Sequence, residues 1–142
     1  MKITSVEIFL LDGGRPTWRP VVCRVNTDEG ISGYGEAALG FDNGAWGAVG
    51  MLREIAPMVI GMDAMAHEVV WDHTFHDSFW GQGGGMAVMS AVSAIDMALW
   101  DIKGKALGMS VSRLLGGRMH SRLRAYASQL QFGWGTAGMV FD

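Results

Sequence analysis

Two arginines flank a tryptophan in residues 12–20, DGGRPTWRP. Arg15 and Arg19 each carry a planar guanidinium whose fork matches a carboxylate in a two-bond geometry. With Trp18 between them, the segment suits the grip of a small acid. The competing reading is a solvated loop whose Trp18 is tucked onto the core. A second group follows in residues 38–47, ALGFDNGAWG, with Phe41, Asp42, Asn43 and Trp46. Its glycines suit a lid that shuts water out of a reactive site. It also reads as a plain strand-to-helix connection in which Asn43 caps the helix.

Other side chains capable of chemistry are less organised. His73 and His76, three residues apart, lie on neighbouring faces of one helix, with Asp72 and Asp77 beside them. A zinc site is imaginable there. The HExxH pattern is missing, however, and a solvated or hydrogen-bonded histidine pair accounts for the spacing equally well. No metal ligand is assigned. The run Gly81-Gln82-Gly83-Gly84-Gly85 precedes a helix, where backbone N–H groups can hold an anion. It lacks the Lys-Ser/Thr continuation of a phosphate loop and reads as a tight helix entry.

These residues need elements to position them. Residues 3–11, 21–26 and 31–37 are rich in β-formers and separated by glycine- and proline-bearing turns, which predicts an antiparallel meander. Gly33 and Gly35 thin one face of its third strand, where another backbone or a ligand can come close. A helix is expected over residues 45–58, with Val49, Leu52, Ile55 and Ala56 on one side. Another, capped by Asp63, is expected to run to about Phe79. The longest stretch lies within residues 83–117. Val88, Val92, Ile95, Leu99, Ile102 and Ala106 alternate at steps of four and three, widened by Ala91, Ala94 and Ala98. So broad an apolar face belongs to a helix covered by protein. Gly108 supplies its left-handed stop, and Asp101 and Lys105 stand at the favourable i,i+4 spacing. A short helix capped by Ser110 and a strand over residues 122–127 follow. Strands grouped before helices indicate an α+β domain.

The chain has 142 residues, of which 49% are apolar and 18% charged, with a net charge of −3. That balance leaves no basic footprint for nucleic acid. A single cysteine, Cys23, excludes an internal disulfide and suits a reducing compartment. No charged-then-apolar leader opens the sequence and no apolar run reaches bilayer length, so the expectation is a cytoplasmic, non-membrane protein.

The wording IDMALWDIKGKALG (residues 95–108), followed by LLGG (114–117), resembles the N-terminal capping domain of the enolase superfamily, in its mandelate racemase and muconate-lactonising branch. MKITSVEIFLL (1–11), NTDEGISGYGEA (26–37) and LRAYASQLQFGWG (123–135) extend the resemblance over nearly the whole chain. WRPVV, WGQGGG and YASQLQFGWG look most like the sugar-acid dehydratases of that branch.

The resemblance implies a capping domain over residues 1–120, a three-stranded antiparallel meander followed by a helical bundle. Residues 121–142 would begin a β/α barrel that is incomplete here. It implies that the loops bearing Trp18, Arg19 and, with no clear counterpart, Arg15, and Phe41 and Asn43, select the substrate. Gln129 and Gln131, just past the first barrel strand, would face the active site. It implies a magnesium-dependent lyase that abstracts the proton α to a carboxylate, a sugar acid being the small-molecule partner. Racemisation or another isomerase chemistry stays open. The metal ligands and acid/base residues would come from later barrel strands, so this chain alone is expected to be inactive. A homo-oligomer is expected. Two other readings stay open: a freestanding, non-catalytic interaction domain, and a small zinc protein.

Overall fold

A computed structural model describes residues 1–14 and 17–126. Three strands, β1 (Ile3–Leu10), β2 (Val21–Thr27) and β3 (Ser32–Ala37), form an antiparallel sheet in the order β1-β2-β3. Four helices follow: α1 (Gly44–Val59), α2 (His67–His76), α3 (Met86–Leu107) and α4 (Val111–Leu114). This is the α+β meander-then-helices architecture expected from the sequence.

Alternation along the strands splits the sheet into two unlike faces. Val21, Cys23, Val25 and Thr27 of β2 and Gly33, Gly35 and Ala37 of β3 are buried toward the helices. On the opposite face Glu7, Arg24 and Tyr34 are direct cross-strand neighbours. Arg24 stands 3.6 Å from the Glu7 carboxylate, and its guanidinium lies 5.9 Å from the centroid of the Tyr34 ring. Exposed pairs of this kind are weak individually. Here they give the sheet a polar outer surface.

α3 is the central helix, as its periodicity predicts. Val88, Ala91, Val92, Ala94, Ile95, Ala98, Leu99 and Ile102 are all buried. It lies across β3 and β2 and also packs against α1 and α2. The approach to β3 is close because both sides are small: a Cβ on Gly33 would stand 2.0 Å from the Ala98 carbonyl oxygen. Gly108 ends the helix in the left-handed conformation, φ 61°, with its N–H bonded back to the last turn. Ser110 caps α4 by accepting from the Arg113 N–H at 3.3 Å.

α3 also guards the free edge of β3. Asp101 Oδ2 accepts the Tyr34 backbone N–H at 3.0 Å, and Lys105 Nζ donates to the Ser32 carbonyl at 2.8 Å. The same two side chains are joined at 2.6 Å. An i,i+4 pair readable in sequence thus satisfies edge groups that would otherwise invite another strand.

The structure corrects three expectations. The helix expected to run from Asp63 to about Phe79 spans only His67–His76, and its N-cap is Ala66, which makes no side-chain cap bond. Asp63 instead accepts the Met65 N–H at 3.0 Å in an Asx turn, two residues ahead. α2 stops because the chain must turn at Gly81, where a Cβ would stand 2.1 Å from the Phe75 carbonyl oxygen. Asn43 occupies the N-cap position of α1, but its own φ and ψ are helical and its side chain makes no cap bond. A cap needs an extended residue to fold its oxygen back. Residues 122–126, expected as the start of a strand, carry none and are exposed. An isolated strand would leave its N–H and C=O groups without a ladder. The rest of that expectation, from Ala127 onward, lies outside the described residues.

Candidate functional site

β1 ends at Leu10, β2 begins at Val21 and β3 ends at Ala37, so the segments 11–20 and 38–43 leave the same end of the sheet. The first is drawn in by two backbone bonds, Leu11 N–H to the Pro20 carbonyl at 2.8 Å and Gly13 N–H to the Trp18 carbonyl at 3.0 Å. The two segments then pair with each other. Arg19 N–H donates to the Gly40 carbonyl at 2.7 Å and Asp42 N–H to the Thr17 carbonyl at 2.9 Å, making an antiparallel bridge between Trp18 and Phe41.

This bridge is one residue out of register with the sheet it extends: Val21 pairs with Ala37, but Trp18 pairs with Phe41. The extra residue is taken up in 38–40, where Leu39 has φ 71°. Asp42, at φ 46°, turns the chain toward α1. These are the two non-glycine residues with positive φ among the described residues. Such backbone is uncommon outside glycine and persists only where its surroundings hold it.

The register shift sets Trp18 against Phe41, with ring centroids 4.6 Å apart and planes tilted by 57°. Trp18 is half-buried and stands apart from the apolar core under the sheet. It is enclosed instead by loop backbone. A Cβ on Gly13 would meet the indole Cδ1 at 1.9 Å, and one on Gly40 would meet the indole Cζ3 at 3.2 Å. Arg19, next to it, is exposed, and its guanidinium forms no ion pair among the described residues. Phe41 is 41% exposed, and Asn43 and Trp46 are also exposed. The structure therefore brings Trp18, Arg19, Phe41 and Asn43 to one end of the sheet, with Trp18 and Phe41 as an aromatic pair and the exposed Arg19 next to Trp18 in the chain. Arg15, Gln129 and Gln131 lie outside the described residues.

Sequence reasoning missed Gly13, Leu39 and Gly40, which hold this arrangement together. The two glycines were visible only as loop composition. A glycine on either side of a tryptophan in space leaves no local pattern, and Leu39 gives no signal at all.

The histidine cluster resolves into two separate pairs. His73 Nδ1 lies 2.6 Å from Asp77 Oδ2, and His76 Nδ1 lies 2.9 Å from Asp72 Oδ1. Among the described residues no three histidine, cysteine or acidic side chains converge on a point that could hold a metal. The described residues do not fit a resident magnesium or zinc ion.

A different cluster joins α2 to α3. An open crevice of about 310 Å³ is lined by His67, Glu68, Trp71, Asp96 and Trp100. Lys103 Nζ stands 2.6 Å from His67 Nδ1 and 5.0 Å from the Trp100 ring centroid. Partial burial pushes the Asp96 carboxyl above its ordinary range, against the opposing pull of His67 and Lys103. Elsewhere, burial raises the Cys23 thiol to about 11.

A small sheet and a covered central helix, with two adjoining loops at one sheet end, define an α+β capping-type domain. The family described as mandelate racemase / muconate lactonizing enzyme, N-terminal domain, matches residues 12–116. The chain belongs to this family, within the enolase superfamily. It is 39% identical over 128 residues to a D-galactonate dehydratase family member from Pseudarthrobacter chlorophenolicus, covering 89% of this chain and 29% of that protein. Among solved structures it resembles an enolase-superfamily member from Salmonella Typhimurium, with 51% identity and a TM-score of 0.86. That match covers 94% of this chain and 33% of the other. It also resembles an enolase from Pantoea ananatis with bound D-gluconate and Mg. There the identity is 34% and the TM-score 0.74, over 84% of this chain and 28% of the other. The chain thus spans about a third of the length of these relatives. No helix among the described residues is long and apolar enough to cross a membrane.

Proposed function

We propose that this chain is the capping portion of a magnesium-dependent sugar-acid dehydratase, and that its two joined loops choose the acid. The observation that carries the reading is the loop pair itself. A tilted aromatic pair, Trp18 and Phe41, stands at one sheet end with the exposed Arg19 as the next residue in the chain, all inside the segment matched by the family. Arg19 supplies a fork for one carboxylate. Trp18 and Phe41 form an apolar wall that excludes water from one side of the substrate. The relatives named as a D-galactonate dehydratase family member, and as an enolase holding D-gluconate and Mg, support a sugar acid as substrate and magnesium as cofactor.

In the complete enzyme a base outside these residues removes the proton α to the carboxylate. The β-hydroxyl then leaves as water, and the resulting enol becomes a 2-keto acid. The described residues contribute binding and shielding; the metal ligands and the base lie elsewhere in this reading. A cytoplasmic homo-oligomer remains part of it.

The test is a screen of hexonates and hexarates against the complete protein with magnesium, reading 2-keto acid formation. Loss of a charge-assisted hydrogen bond worth about 1.5–3 kcal/mol should make Arg19→Ala raise KM roughly ten- to hundredfold, with unchanged thermal stability. A complete protein that turns over no sugar acid, with or without magnesium, would overturn the reading.

A further inference from the structure

The crevice between α2 and α3 holds an unbalanced charge. Two indoles, Trp71 and Trp100, two carboxylates, Glu68 and Asp96, and the His67 imidazole line about 310 Å³ of open space. Asp96 is half-buried on α3, and among the described residues it forms no ion pair. A carboxylate withdrawn from water is ordinarily paired, because lost hydration must be replaced. The Trp100 indole bonds Asp96 but brings no charge.

The two basic groups at hand are turned on each other instead. Lys103 Nζ stands 2.6 Å from His67 Nδ1. An ammonium can only donate, so His67 Nδ1 accepts and carries no proton. The other ring nitrogen, Nε2, faces Glu68 at 3.4 Å. Two carboxylates thus share the crevice with one ammonium, and that ammonium is bonded to the imidazole. The walls suit an organic cation, since indole faces attract ammonium groups. Lys103 already uses one of them, its Nζ lying 5.0 Å from the Trp100 ring centroid. A metal ion needs several converging ligands, and the described residues offer no such group.

We infer that this crevice is a seat for a primary alkylammonium, bonded by Asp96, with Glu68 at the rim and the stem lying along Trp71 and Trp100. Three N–H donors on one nitrogen suit two carboxylates and leave none idle beside a water molecule. The ammonium belongs either to a free amine or to a lysine of the complete protein outside residues 1–142, since the relatives are about three times as long. The inference does not depend on the sugar-acid reading, and a protein inert toward sugar acids would leave it standing.

The experiment is a set of thermal melts of the complete protein at pH 8. The probe is n-butylammonium chloride, with sodium chloride at equal ionic strength and n-butanol as controls. A ligand that binds only the folded state raises Tm as its concentration climbs past Kd. The wild type should rise with butylammonium and with neither control. Asp96→Asn, nearly identical in shape, should weaken the apparent affinity roughly ten- to hundredfold, as expected for a lost charge-assisted hydrogen bond. Trp100→Leu should weaken it about threefold through lost cation–π attraction. Glu68→Gln, at the exposed rim, should matter less than Asp96→Asn.

An equal rise with n-butanol, or a rise undiminished in Asp96→Asn, would overturn the inference. Where the wild type shows no rise, carbodiimide coupling followed by peptide mass spectrometry decides the source. An amide joining Asp96 to a lysine other than Lys103 means that the protein's own ammonium fills the seat. Coupling to Lys103 alone, or no coupling, overturns the inference.

Discussion

A β-carbon built on Gly35 would stand 1.8 Å from the carbonyl oxygen of Ala94. That oxygen belongs to the backbone of the central helix and cannot rotate aside. Gly35→Ala should therefore push α3 off β3 and destabilise the protein by about 3 kcal/mol, the upper part of the range for overpacking a close-packed interior. Urea denaturation should show a lower midpoint at an unchanged slope.

Gly47 makes the opposite case. It lies inside α1 with nothing within 4 Å of a built Cβ and no positive φ. Glycine inside a helix costs roughly 0.5–1 kcal/mol relative to alanine, so Gly47→Ala should stabilise by about that amount. Together the two substitutions separate glycine retained for contact from glycine that is merely tolerated. Equal effects on the urea midpoint would contradict the packing described here.

The Gly35 contact was legible in outline from the sequence. Thinned strand residues Gly33 and Gly35, and an alanine stripe at Ala91, Ala94 and Ala98, state locally that two backbones approach. The same holds for α3, whose apolar period runs for many turns, and for Gly108 and the Asp101–Lys105 pair, which depend on residues at most four apart. The loop pair was legible only in its residue types. Trp18 and Phe41 meet across a strand hairpin and a slipped register, and no short-range pattern encodes such a contact. The end of α2 failed for a related reason. The sequence up to about Phe79 looks like continued helix, but a close approach of Gly81 to the Phe75 carbonyl decides the turn. Asp63 and Asn43 have the composition of caps, but local geometry engages one in an Asx turn and leaves the other without a cap bond.

Cys23 faces the helices from the middle of β2 and is fully buried, with its thiol pushed up to about 11 by burial. A thiolate is the reactive species, so the folded protein should resist aromatic disulfide reagents at pH 8. Stoichiometric labelling is expected in strong denaturant, with native labelling slower by orders of magnitude and limited by opening of the sheet. Fast labelling of the native protein would mean that the β2–α3 layer opens far more readily than its packing indicates.

Asp96 offers a test of the α2–α3 crevice by pH. Burial is the main cause raising its carboxyl above the ordinary 3.8, with Glu68 adding to the rise and His67, Lys103 and the Trp100 indole opposing it. A carboxyl with a raised pKa binds its proton more tightly in the folded state than in the unfolded one. Its contribution to stability therefore falls as pH climbs from about 3.8 through the raised value, and the deficit is complete above it. Asp96→Asn removes the charge and with it this slope. The variant should melt above the wild type at pH 7, and the gap should close as pH drops toward 4. Thermal melts at half-unit intervals from pH 4 to pH 8 read both the sign and the window. A variant that melts below the wild type at pH 7 would show that attraction to Lys103 and His67 outweighs burial. In that case the ionised Asp96 would hold the two helices together.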